Sequence, residues 1–91
     1  MNAMYARKKF LRKHINYWRI KMEAYKERMV NEHKELQRRT VKLGELLDNY
    51  RQGKLDFELN CPVTLLEQQF GAMCVYLVVL ERRAEIEGIE L

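Results

Sequence analysis

The chain has 91 residues, of which 47% are hydrophobic and 33% are charged, and its formal net charge is +4. It contains one proline and four glycines. So few chain-breaking residues exclude collagen-like and linker-like chains, and the apolar content excludes a disordered one. They also argue against an all-β fold, which needs frequent turns. No unbroken apolar run approaches the roughly 20 residues of a membrane span, so we expect no membrane contact.

The positive charge is concentrated at one end of the chain. Residues 1–21 hold seven basic side chains and no acidic one, whereas residues 22–91 carry a net charge of −3. We therefore predict two parts, a basic N-terminal helical extension over 1–21 and a domain over 22–91. The extension can attract nucleic acid or an acidic partner by Coulomb forces, or it can be only a solvated helix face. The candidate contacts are Arg7, Lys8, Lys9, Arg12 and Lys13.

The apolar spacing before residue 51 predicts one long helix, running from about residue 4 and forming the domain's first helix over about 22–51. Apolar residues recur at heptad position a, while the d positions include polar residues. The a positions are Met22, Met29, Leu36, Leu43 and Tyr50, and the d positions are Tyr25, Glu32, Arg39 and Leu46. Gly53 is a natural stop.

Residues 52–61 form the connection, in which Leu55, Phe57 and Leu59 are expected to lie over the helices. A second helix is predicted over about 62–87, with Pro62 at its first position after a cap at Asn60 or Cys61, or with a capping box at Thr64–Glu67. The apolar residues of this helix recur at alternating steps of three and four, and further apolar residues widen the stripe. The series is Val63, Leu66, Phe70, Met73, Leu77, Leu80 and Ala84. Gly71 inside this helix suggests a close helix approach or ligand access.

These elements predict an all-α fold, an antiparallel helical hairpin with a long N-terminal helix. One hairpin covers only one face of each helix, and the second helix has more apolar faces than one partner can cover. Small cores are rarely stable without disulfides, metals or association. We therefore expect copies of the chain to assemble as a helical-bundle homo-oligomer.

Polar residues interrupt the first helix's apolar stripe. Glu32 and Arg39 occupy d positions, with His33 and Thr40 beside them. Either the stripe rotates so that positions a and e form the core, or these residues line a polar cavity in the oligomer, where a ligand phosphate could pair with arginine. Aromatic residues alternate with cations nearby, an arrangement that suits nucleotides unless the rings are core. The candidate ligand-binding residues are Arg39, His33, Glu32, Tyr25, Trp18 and Arg19.

No catalytic or metal-binding motif is recognisable. The sequence has no Ser-His-Asp or Cys-His arrangement and no phosphate-binding glycine loop. Cys61, Cys74, His14 and His33 fit no common zinc spacing, and Cys74 is better explained as a core residue. We expect no enzyme activity, no cofactor and no metal.

Two stretches resemble a group of small, mostly uncharacterised bacteriophage proteins. The first comprises Tyr25–Val30, Glu32–Leu36 and Lys42–Leu47; the second comprises Leu65–Gln69 with Met73, Tyr76–Leu77 and Leu80–Arg83. The resemblance covers about residues 22–87, and the basic extension departs from it. It implies a phage or prophage origin, a place in the cytoplasm of an infected bacterium, and no known enzyme chemistry. Such proteins often act against host defences, and some helical phage proteins are oligomeric sponges that sequester cyclic nucleotides.

These considerations favour a non-enzymatic, oligomeric phage protein that acts against host defence by sequestering a small anionic nucleotide signal. One alternative is a protein–protein interaction module that inhibits a host defence factor. Another is nucleic-acid binding through the basic N-terminal helix, and a structural coiled-coil role also remains.

Overall fold

In a computed structural model the chain forms two helices, α1 (Ala3–Arg51) and α2 (Val63–Glu87). The structure describes the backbone from residue 3 and the side chains from residue 16. The predicted all-α hairpin is confirmed, while assembly of copies stays a prediction, as does the division at residue 21, which α1 crosses without interruption. The side chains of the basic candidates lie outside the described residues: Arg7, Lys8, Lys9, Arg12 and Lys13.

Three contacts fix the antiparallel register of the helices. A Cβ atom added at Gly44 would lie 3.1 Å from Phe70 Cε2. His33 Nε2 lies 3.1 Å from Glu81 Oε1, and the Tyr25 hydroxyl donates a hydrogen bond to Glu87 over 2.8 Å. Because α2 ends at the level of Tyr25, the N-terminal part of α1 extends beyond it, and the molecule is 78 Å long.

The face that α1 packs on α2 uses heptad positions a and e. Met29 and Leu47 are buried, and so are the polar residues His33 and Thr40. The Thr40 hydroxyl donates to the backbone oxygen of Leu36 over 2.7 Å, which satisfies its hydrogen-bonding capacity locally. The stripe is therefore rotated, which was one of the two alternatives left open by the sequence, and the d positions Glu32 and Arg39 are exposed.

The face that α2 packs on α1 is the predicted series at steps of three and four. Leu80 and Ala84 are buried. Val63, Leu66, Phe70, Met73 and Leu77 are half-buried. The close approach between the helices occurs at Gly44 rather than at Gly71, because no described atom outside the local helix backbone lies within 4 Å of a Cβ added at Gly71.

Both helices end in the same way, at a glycine with positive φ. Gly53 has φ 69° and Gly88 has φ 70°. The following amides bond back into the helix, Lys54 N–H to Asn49 O and Ile89 N–H to Ala84 O, each over 2.8 Å. These bonds satisfy terminal carbonyl groups that no helical amide reaches.

The predicted start of α2 is confirmed to within one residue, but its predicted capping is wrong. The helix begins at Val63, so Pro62 occupies the cap position itself, and no side-chain hydrogen bond caps this end. Neither Asn60, Cys61 nor the Thr64–Glu67 box therefore serves as predicted. In the connection, Leu55 and Leu59 are half-buried as expected, but Phe57 is 56% exposed.

The C-terminal tail, residues 89–91, contributes to the core. Ile89 is only 8% exposed and forms a buried cluster with Met29 and Ala84, against which Tyr25 and Val30 pack. The turn at Gly88 reverses the chain and places Ile89 there. The tail thus closes the open end of the hairpin.

We expect Ile89→Ala to lower the free energy of unfolding by about 2 kcal/mol or more, because the truncation leaves a cavity in the buried cluster. Leu91→Ala is the matched control: Leu91 is 43% exposed, so its effect should stay within about 0.5 kcal/mol. Urea denaturation followed by circular dichroism measures both. Equal effects of the two substitutions would contradict the assigned role of Ile89.

Candidate functional site

Polar side chains from both helices meet along one edge of the hairpin, beside the core. Tyr25 and Glu32 lie seven residues apart on α1, and Tyr76 and Arg83 lie seven residues apart on α2. Residues at this spacing share one side of a helix, so the two pairs form facing rows. We call the set Tyr25, Glu32, Tyr76, Arg83 and Glu87 the polar row.

Hydrogen bonds link the members of the polar row across the helix interface. Arg83 Nη2 donates to the Tyr25 hydroxyl over 2.8 Å, and that hydroxyl donates to Glu87 Oε1 over 2.8 Å. Arg83 Nε also lies 3.9 Å from Glu87 Oε2. Two turns further along, the Tyr76 hydroxyl donates to Glu32 Oε1. One cation is thus held between the Tyr25 hydroxyl and the Glu87 carboxylate, on a surface open to solvent.

The polar row changes the acidity of two of its members. The hydrogen bond to Glu32 raises the pKa of Tyr76 above its usual value of 10.0, and partial desolvation adds to the effect. The hydrogen bond to Tyr25 raises the pKa of Arg83, and the nearby carboxylates add to it. Both groups are therefore fully protonated at neutral pH, so the row offers a permanent cation and phenolic donors.

Two further candidates from the sequence lie in line with the polar row. Trp18 and Arg39 continue the seven-residue spacing of Tyr25 and Glu32 along α1, in both directions. Trp18 is 54% exposed. Arg39 is exposed, and its Nε lies 3.1 Å from Glu35 Oε1. An aromatic ring and a second cation thus extend the row at its two ends.

His33 and Arg19 do not join the polar row. The His33 ring is buried and bonds Glu81 across the interface, on the edge opposite to Tyr76 and Arg83. His33 therefore supports the packing of the helices. Arg19 is exposed on the part of α1 beyond the end of α2.

Sequence reasoning found Tyr25 and Glu32 but missed the three residues of the row on α2. Tyr76 follows the predicted apolar residue Met73 by three positions, and Arg83 follows Leu80 by three, so Tyr76 and Arg83 share one heptad position. This spacing was a usable signal that both lie beside the packed face. The pairing of Tyr76 with Glu32 depends on the register between the helices, which no single helix pattern specifies.

A depression of the described surface lies elsewhere, at the hairpin turn. Tyr50, Leu55, Phe57, Leu59 and Pro62 contribute to its lining, and Glu58 is its charged residue. It offers no cation to an anionic ligand. In the part of the chain with described side chains, no group of three or more His, Cys, Asp or Glu residues is arranged to hold a metal ion.

Comparison with known families identifies the group to which this hairpin belongs. A sequence model named Sequestin matches residues 23–86, more than two thirds of the chain and nearly all of the hairpin. The chain belongs to the Sequestin family. The name indicates a protein that sequesters what it binds rather than converting it. No curated protein and no solved structure matches the chain.

The family match bears on two predictions made from the sequence. It begins at residue 23, so the basic extension lies outside it, and it covers nearly the same stretch as the resemblance to small phage proteins. It carries no organism, and the phage origin therefore stays a prediction.

The length and composition of α2 bear on the expectation of no membrane contact. This helix contains an 18-residue stretch with mean hydropathy 1.6, of which only 6% is buried, and by these measures alone it is long enough to cross a membrane. The sequence argument counted only unbroken apolar runs and did not detect it. Such a stretch also occurs in helices that pack against protein, so it identifies an uncovered apolar surface without specifying what covers it.

We expect Tyr76→Phe to change the pH dependence of stability. Because the folded-state pKa of Tyr76 is raised above 10.0, its hydrogen bond to Glu32 stabilises the fold below that pH and is lost as the pH rises through the raised pKa. Urea midpoints between about pH 8 and 11 should therefore fall less steeply in Tyr76→Phe than in the wild type.

Tyr50→Phe is the matched control, because Tyr50 is similarly exposed, at 45%, but stands outside the polar row. Its pH profile should follow that of the wild type. A Tyr76→Phe profile that coincides with the wild type throughout would show that the Glu32 bond does not stabilise the hairpin.

Proposed function

We propose that this protein sequesters a small anionic nucleotide signal, without turnover, as an oligomer acting against bacterial defence in a phage-infected cell. The family name supports binding rather than catalysis. The observation that carries the choice of ligand is the polar row, where Arg83 stands between Tyr25 and Glu87.

The chemistry of the polar row suits a nucleotide. A guanidinium group donates two parallel hydrogen bonds to a phosphate, and the exposed phenol and indole rings offer surfaces for stacking a base. The carboxylates of Glu32 and Glu87 can accept hydrogen bonds from a ribose hydroxyl or a base amine. Binding requires Arg83 to exchange part of its contact with Glu87 for the phosphate.

Titration calorimetry against a panel of cyclic dinucleotides, cyclic mononucleotides and cyclic ADP-ribose isomers tests this proposal. At least one member should bind and be recovered intact by chromatography. Arg83→Ala should weaken binding roughly 10- to 100-fold, the value of a charge-assisted hydrogen-bond pair.

The matched control is Arg51→Ala, because Arg51 is an exposed arginine at the hairpin turn that contacts only Asp48 among the described ion pairs. It should bind like the wild type. The proposal fails if no member of the panel gives heat, or if Arg83→Ala retains full affinity. Conversion of the ligand would mean an enzyme instead.

A second function has an observation of its own. The part of α1 that extends beyond α2 presents Trp18, Ile20 and Met22, which are 54%, 66% and 55% exposed. With the basic extension, this apolar surface suits docking on a host protein with an acidic face. We expect deletion of residues 1–17, which removes the basic candidates and keeps Trp18, to abolish capture of such a partner while leaving nucleotide binding at the polar row intact. If the basic side chains bind nucleic acid instead, the affinity should fall steeply with salt.

A further inference from the structure

The face of α2 that points away from α1 is apolar and uncovered. We call this surface the outer face; the least covered of its residues are Val75, 65% exposed, and Ile86, 83% exposed. Contiguous apolar surface of this kind marks an interaction site. Its members are Leu65, Ala72, Val75, Tyr76, Val78, Val79 and Ile86.

The outer face has the spacing of a helix-pairing seam. Leu65, Ala72, Val79 and Ile86 are seven residues apart, and Val75 stands between two of them at steps of three and four. This is the pattern by which a helix packs along another helix. Gln68 and Arg82 occupy the remaining positions of the seam.

We propose that the outer face binds a second copy of this chain, with the two α2 helices antiparallel and the two-fold axis between Val75 and Tyr76. The residues of the seam are arranged symmetrically about this point. Leu65 then meets Ile86 of the second copy, and Ala72 meets Val79. A surface that is complementary to itself in this way is what a two-fold dimer requires.

Charge favours the antiparallel arrangement over the parallel one. Glu67 and Arg82 lie on the same flank of the outer face, and neither forms an ion pair within the described part of the chain. Antiparallel pairing brings Glu67 close to Arg82 of the second copy, twice by symmetry. Parallel pairing would instead place like charges opposite each other.

A protein helix fits the outer face better than a lipid bilayer does. The last two turns of α2 carry Glu81, Arg82, Arg83, Glu85 and Glu87, and charged residues in a spanning segment are costly. The opposite face of α2 is held by α1, whose own outer surface is charged. Insertion would require the hairpin to open and its polar row to separate.

The dimer would also complete the polar row. Tyr76 belongs to the row and lies beside the two-fold axis, so the two copies of Tyr76 come together on one side of the dimer, with Gln69 of each copy near Arg83 of the other. The pairing itself rests on the outer face alone, whereas this shared site rests on the proposed function.

Cysteine cross-linking in the full-length chain, in a background with Cys61→Ser and Cys74→Ser, tests the axis. Val75→Cys should form a disulfide-linked dimer under mild oxidation, because the two copies of residue 75 lie next to the axis, within the reach of a disulfide. Leu65→Cys should not, since its copies stand about 30 Å apart in the antiparallel arrangement. A mixture of Leu65→Cys and Ile86→Cys should yield the crossed dimer.

Charge reversal tests the same arrangement without oxidation. Glu67→Arg should raise the dimer dissociation constant roughly 10-fold, and Glu67→Arg with Arg82→Glu should restore it. Val79→Glu should yield a folded monomer by light scattering and circular dichroism. Val41→Glu is the matched control, because Val41 is exposed to the same extent, 54% against 50% for Val79, but lies on α1.

A wild-type monomer at micromolar concentration would overturn the inference. So would cross-linking of Leu65→Cys to itself, which indicates a parallel pair, or flotation of the wild type with lipid vesicles, which indicates a membrane. Calorimetry on Val79→Glu separates this inference from the proposed function. If a nucleotide binds the monomer as well as the dimer, only the shared site is contradicted. If the dimer binds no nucleotide, only the proposed function is contradicted.

Discussion

The packing of two antiparallel helices along a single face each is the constraint on which the rest of the structure depends. On α1 this face uses heptad positions a and e, and on α2 it uses the series that ends at Leu80 and Ala84. Outside these faces, the outer face of α2 and the described side chains of α1 beyond the end of α2 stay in contact with water. The same packing leaves the polar row at the edge where the helices meet, because side chains beside a core can reach both their partners and the solvent.

Polar contacts specify how the two apolar faces align. Apolar contacts are non-directional and tolerate a shift along the helix axis, whereas a hydrogen bond between named atoms does not. His33 bonds Glu81 on one edge, and Tyr76 bonds Glu32 on the other. These bonds hold Arg83 beside Tyr25 and thereby create the binding surface. Register and candidate site therefore have one physical origin, although His33 itself lies away from the ligand side.

Helical periodicity was sufficient to predict the two helices and the series of α2 residues that packs on α1. It left α1 ambiguous, since His33 and Thr40 are polar and only their partners, Glu81 and the Leu36 carbonyl, make their burial tolerable. Ile89 was missed because it follows the last helical residue, and its burial depends on the turn at Gly88. Tyr76, Arg83 and Glu87 were missed because their partners are distant in sequence, so they become a site only once the register is known.

The central claim is that one hairpin leaves enough apolar surface uncovered for association with a second copy to add to its stability, so that folding and association are coupled. Urea unfolding of the wild-type chain, followed by circular dichroism over a hundredfold range of protein concentration, tests it most directly. Coupled folding predicts that the unfolding midpoint rises steadily with concentration, because association stabilises only the folded chain. A cooperative transition whose midpoint is the same at every concentration would contradict the claim, since it would describe a hairpin that gains no stability from a partner.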